Sequence, residues 1–105
     1  MAWETQINLQ ERTLSICGEL TIFSVADIRT RLQETLAVVD TLNIDLSEVT
    51  EIDTAGLQLM LLAKRKPGKT VGFCKHPEVV LRLIDLANLA QTLDDLLVMQ
   101  APQSA

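Results

Sequence analysis

The sequence predicts an α/β fold, a four-stranded mixed β-sheet with helices packed on it. Three observations carry that prediction. Four short stretches alternate apolar and polar residues with period two, the signature of half-buried strands. Three stretches repeat apolar residues at spacings of three and four, the signature of amphipathic helices. Their order, β-β-α-β-α-β-α-α, places a helix between strands after an initial hairpin, which is the pattern of crossover connections.

The first strand is carried by Trp3, Thr5, Ile7 and Leu9. Glu11-Arg12 makes a tight turn, and Leu14, Ile16 and Gly18 continue a second strand, so the two form a hairpin that ends at Gly18-Glu19-Leu20. Ser24 with Asp27 is a variant capping box opening the first helix. Its apolar stripe is Val25, Ile28, Leu32 and Leu36, with Arg29, Arg31, Gln33 and Glu34 on the other face. Leu42, Ile44 and Leu46 alternate through the third strand. A polar stretch, Ser47 to Glu51, then leads to Ile52.

Asp53-Thr54 opens a second helix running to about Arg65, and either side chain can cap it. Pro67-Gly68 ends it. Thr70 to Lys75 reads as the fourth strand, with Val71 and Phe73 on one face. Pro77 suits the first turn of a third helix, whose apolar side is Val79, Val80, Leu83, Ile84 and Leu86 or Ala87. Asn88 reads as its left-handed cap, and Leu89 to Met99 as a shorter helical segment. Residues 1–99 thus form one domain, with 100–105 as a frayed tail.

Composition narrows the function. A chain of 105 residues fits one domain, and 48% hydrophobic residues argue against disorder. With only 3% aromatics, the core must be built from Leu, Ile, Val and Ala. A net charge of −5 argues against nucleic acid, which demands a basic stripe. Lys64-Arg65-Lys66 with Lys69 is the nearest approach to one, and it reads as a helix C-terminal cluster offsetting the dipole. The N-terminus lacks the features of a secretion signal, and the most apolar run, Leu57 to Ala63, is too short to span a bilayer. The expected compartment is the cytoplasm, where Cys17 and Cys74 are buried thiols rather than a disulfide. Sequence alone leaves open whether they are neighbours.

The chemistry-bearing motifs are few. One histidine, His76, cannot build a triad and reads as a surface or capping residue. Cys-x-x-Cys and His pairs are absent, so no metal is expected. Four scattered glycines make no phosphate-cradling loop, and no cofactor is expected. Carboxylate pairs such as Asp94-Asp95, or Glu48 with Glu51, read as solvated faces. An enzyme is not expected.

The informative place is the junction at Asp53-Thr54, eight residues after Asp45. A helix N-terminus offers unpaired N–H groups and partial positive charge, which stabilise a phosphate carried by a hydroxyl there. Thr54 is therefore either a phosphate acceptor or simply a helix cap. Asp53 is placed either to accept the Thr54 hydroxyl proton or to bond to the loop backbone. At 100° per residue, Leu57, Met60 and Leu61 share one side, with Gly56 and Ala63 beside Met60. Thr54, Gln58 and Arg65 share the opposite side, flanked by Ala55 and Leu62. Leu62 is either part of a protein-binding stripe or half buried.

Several segments, in order, resemble the STAS domain family, typified by bacterial anti-sigma factor antagonists. They are Gly18-Glu19-Leu20, the stretch from Asn43 to Val49, the signature Ile52-Asp53-Thr54-Ala55-Gly56-Leu57, and Leu86-Ala87-Asn88-Leu89. The last departs from the family by carrying Asn88 where it has glycine. The resemblance covers nearly the whole chain. It implies a regulatory protein-interaction module whose Thr54 is phosphorylated by a partner kinase that is itself an anti-sigma factor. Asp53, Thr54, Ala55, Gln58 and Leu62 are the implied contacts. It equally implies a STAS subunit that binds the ATPase of a lipid-transporting ABC complex, or a chemotaxis-linked adaptor.

Overall fold

The computed structural model describes residues 3–86. In chain order it has β1 (Trp3–Asn8), β2 (Thr13–Leu20), α1 (Val25–Leu36), β3 (Thr41–Ile52), α2 (Thr54–Lys64), β4 (Thr70–Cys74) and α3 (Glu78–Leu86). The four strands form one sheet in the order β1-β2-β3-β4. β1 pairs antiparallel with β2, while β2–β3 and β3–β4 are parallel, so the sheet is mixed as expected. The expected cap at Asn88, the helical segment 89–99 and the tail 100–105 lie outside the described residues.

The sheet advances in one direction through its parallel strands. Right-handed crossovers therefore put α1 and α2 on the same face. Inward residues of the strands join those of α1, α2 and α3 in a single core. Phe73 is its largest fully buried side chain, and leucine, isoleucine and valine supply most of the remainder. Burying each such side chain stabilises the fold by roughly 1.5–3 kcal/mol. The stripe expected on α1 is in place: Ile28, Leu32 and Leu36 are buried, with Val25 packed half-buried at its start.

Three local expectations are corrected. The polar stretch Ser47 to Glu51 does not follow the third strand but belongs to it: β3 runs unbroken from Thr41 to Ile52. Its register against β2 shifts between Ser15 and Cys17 and again between Gly18 and Glu19. Those irregularities change the buried spacing from two at Leu42, Ile44 and Leu46 to three at Val49 and Ile52. Gly18 takes φ 92° beside the second shift, a conformation that costs glycine little.

The capping box at Ser24 does not form. Ser24 is fully buried and makes no side-chain bond to α1. Its Oγ accepts from the Thr21 N–H at 3.0 Å and donates to the Glu19 carbonyl at 2.8 Å, tightening the loop that precedes the helix. Of the two residues offered for the last apolar position of α3, Leu86 is exposed and Ala87 lies outside the described residues; the buried members of the helix are Val80 and Ile84. β4 also stops at Cys74, because Lys75 turns the chain with φ 57°.

Candidate functional site

The site forms where β2 and β3 end and α1 and α2 begin. Asp53 caps α2: its Oδ1 accepts from the Gly56 N–H at 3.1 Å. Its Oδ2 accepts from the Ile22 N–H at 3.0 Å. Of the two roles open to Asp53, the structure thus selects bonding to the loop backbone. One carboxylate fastens the loop between β2 and α1 to the first turn of α2, and the Asp53 N–H reaches back to the Leu20 carbonyl at 3.4 Å.

With the cap taken by Asp53, Thr54 is released from that duty. It is the first residue of α2, is exposed, and its hydroxyl has no hydrogen bond among the described residues. It lies one residue inside a helix N-terminus, where backbone N–H groups favour negative charge. The opposing influence is local acid. Glu19, Glu51 and Asp53 line a shallow pocket at this corner with Thr21, Phe23 and Ile52.

Gly56 explains why the motif carries glycine. A Cβ built there would lie 2.3 Å from the Leu20 carbonyl oxygen and 2.8 Å from Cγ1 of Ile52. The first turn of α2 therefore presses directly on the end of β2. That contact sets the position of Asp53 and Thr54 relative to the loop.

Along α2, Gly56, Leu57, Leu59, Met60 and Ala63 are buried, and Leu61 is half buried. Thr54, Gln58 and Arg65 are exposed, as their shared helical side requires, and Ala55 is half buried. Leu62 is 59% exposed, which excludes its half-buried reading. Thr54, Gln58 and Leu62 then form a row about 12 Å long.

Two residues escaped the sequence reading. Ile22 is 66% exposed and Phe23 is 85% exposed, both on the loop that Asp53 holds. Their signal is positional: an aromatic and an isoleucine falling between the strand alternation and the Val25 stripe belong to neither core pattern.

The cysteines are placed on the face of the sheet away from the helices, and both are half-buried rather than buried as expected. Cys17 pairs with Glu48 of β3 and Cys74 with Asp45 of β3. With β3 between them, their Cα atoms are at least about 9.6 Å apart by strand spacing. A disulfide needs roughly 7 Å or less. Burial pushes the Cys17 thiol pKa up, and Glu4, Glu48 and Asp45 add to the shift. Burial likewise raises Cys74, although the Asn43 amide, donating to its sulfur at 3.2 Å, works the other way.

Among the described residues no group of His, Cys, Asp and Glu is arranged to hold a metal ion. No helix among them is long and apolar enough to cross a membrane.

The fold and the loop-helix corner define a class: a small α/β domain that displays a hydroxyl at the tip of a surface helix. The family described as Mlab, STAS domain matches residues 3–99, and the chain belongs to it. Among solved structures it is similar to an anti-sigma factor antagonist from Mycobacterium paratuberculosis. That likeness has a TM-score of 0.72 and 23% identity over 90% of this chain and 91% of that one. It is also similar to the anti-sigma factor antagonist SpoIIAA in its unphosphorylated form. There the TM-score is 0.61, with 16% identity over 86% of this chain and 84% of that one. At these identities the neighbours speak to the fold. Among curated protein sequences there is no significant match.

Proposed function

We propose that this protein is a non-enzymatic regulatory module that binds a protein partner through Thr54 and the exposed row of α2, and that phosphorylation of Thr54 switches the contact. The partner surface comprises Asp53, Thr54, Ala55, Gln58 and Leu62, joined by Ile22 and Phe23. The observation that carries this reading is the Thr54 hydroxyl, exposed and without a hydrogen bond among the described residues at the start of α2 while Asp53 does the capping. A phosphate there adds about −1.5 to −2 charges. It would stand next to Asp53, which shares a pocket with Glu19 and Glu51, and would lose hydration in any close contact, so the modified form binds more weakly.

The neighbours' descriptions as anti-sigma factor antagonists accord with an anti-sigma factor as the partner. That this partner is also the kinase acting on Thr54, in the cytoplasm, is part of the proposal. The experiment is intact-mass analysis of the protein isolated from its native cell. The wild type carries one phosphate that Thr54→Ala lacks. A wild type that stays unmodified with every kinase encoded beside it rejects the switch.

A second reading has its own support. The matching family is described as Mlab, a description different from that of the structural neighbours. It accords with a STAS subunit that binds the ATPase of a lipid-transporting ABC complex, Thr54 serving as a plain contact. That reading expects stable co-purification with an ATPase, insensitive to phosphatase treatment.

A further inference from the structure

Away from the Thr54 corner, α1 and α2 run side by side and leave a groove of about 270 Å³ between them. Its floor is apolar, made by Leu32 and Leu36 of α1 and Leu59 of α2. Leu62 stands on its edge, exposed. Among the described residues three cations line it, Arg29, Arg65 and Lys66, and no carboxylate does. This is unexpected in a chain with 14 acidic and 9 basic residues.

The cations are also uncommitted. Lys69, Lys75 and Arg82 each pair with a carboxylate. Arg29, Arg65 and Lys66 have no ion pair among the described residues, and no acid stands three or four positions away from any of them. Arg65 and Lys66 follow the end of α2, where they complement the helix dipole, as the sequence suggests. Arg29 lies inside α1, where the dipole offers it nothing.

We infer that this groove docks an acidic amphipathic helix of a partner protein. Apolar side chains of that helix enter between α1 and α2, and its flanking carboxylates meet Arg29, Arg65 and Lys66. Charge chooses this occupant. At about 270 Å³ the groove lies at the lower end of the roughly 300–1,000 Å³ of small-molecule sites. An amphipathic helix laid across such a groove inserts only its spaced anchors. An all-basic rim selects carboxylate flanks and speeds their encounter. The inference goes beyond the Thr54 reading and does not depend on phosphorylation.

The test uses the full chain and a synthetic amphipathic helix with leucines at i, i+4 and i+7 and glutamates on both flanks. Binding is read by fluorescence anisotropy beside a counterpart with lysine flanks. The glutamate peptide should bind saturably, weaken with salt, and bind about tenfold or more tightly than the lysine peptide. The double variant Arg29→Glu, Arg65→Glu should invert that preference while retaining the helical circular dichroism of the wild type. Thr54→Val should leave peptide affinity unchanged, which separates this groove from the Thr54 contact. Equal binding of both peptides, no saturable binding, or a preference untouched by the charge reversal would overturn the inference. Binding of dodecanoate without binding of peptide would assign the groove to a lipid and overturn it equally.

Discussion

Asp53 and Gly56 are the residues on which the geometry of the site turns. Asp53 commits both carboxylate oxygens to backbone N–H groups from two different segments, so it fixes the loop bearing Phe23 against α2. Gly56 permits the approach that makes those bonds possible, because any side chain would meet the Leu20 carbonyl. Gly56→Ala replaces that approach with an overlap against backbone, which cannot rotate aside as a side chain can. We expect it to destabilise the fold by about 3 kcal/mol, the upper end of ordinary overpacking. Urea denaturation measures this, and a loss below about 0.5 kcal/mol, the scale of an ordinary surface change, would refute the contact. The sequence offers Asp53 and Thr54 as equal candidates for the cap. Only the reach of the Asp53 carboxylate to both Gly56 and Ile22 separates them, and Ile22 lies 31 residues away in sequence.

At the scale of elements, β3 shows where periodicity stops being readable. Leu42, Ile44 and Leu46 alternate plainly, and that half of the strand is legible. From Ser47 onward the register shifts against β2 move the inward positions to Val49 and Ile52, so a period-two reading sees only a polar run. Ser24 departs from its expected role for a related reason. Its hydroxyl serves the preceding loop instead of the helix, and local sequence does not say which will win. On α2 the exposed side of Thr54 and Gln58 is legible from the apolar face opposite, whereas Leu62 stays open in the sequence and its 59% exposure decides it. β3 also governs the thiols by standing between Cys17 and Cys74. Mild oxidation of the monomer should yield no internal disulfide, as judged by peptide mapping. Both thiols should alkylate slowly with iodoacetamide at neutral pH, since their raised pKa values deplete the thiolate. A rapid reaction of either would contradict that environment.

At the scale of the whole molecule, acids gather on the face of the sheet away from the helices, at Glu4, Asp45 and Glu48, while the groove between α1 and α2 is lined by cations among the described residues. Asp45 stands in the acidic region yet is stabilised as an anion. Burial by itself would raise its pKa. The Ser47 N–H at 2.8 Å, the Ser47 hydroxyl and Lys75 together outweigh burial and bring it below the ordinary 3.8. A lowered folded pKa means that Asp45 contributes stability at and above its unfolded value. That contribution fades as pH falls from 3.8 toward the folded value. Asp45→Asn should therefore be less stable than wild type at neutral pH, and the difference should shrink through that acid range. A difference that stays constant with pH would contradict the assignment.

The same acid-rich balance shapes the central claim, that a charge at Thr54 governs partner binding. The most direct measurement is the affinity of the wild type, Thr54→Val and Thr54→Glu for the protein that co-purifies with this chain from its native cell. Thr54→Val removes the hydroxyl and keeps the shape. Thr54→Glu adds negative charge next to Asp53, which shares a pocket with Glu19 and Glu51. Thr54→Glu should bind about tenfold or more weakly than Thr54→Val, as expected when like charges are brought together in a contact. Equal affinities for the two variants would contradict a charge-switched contact at Thr54.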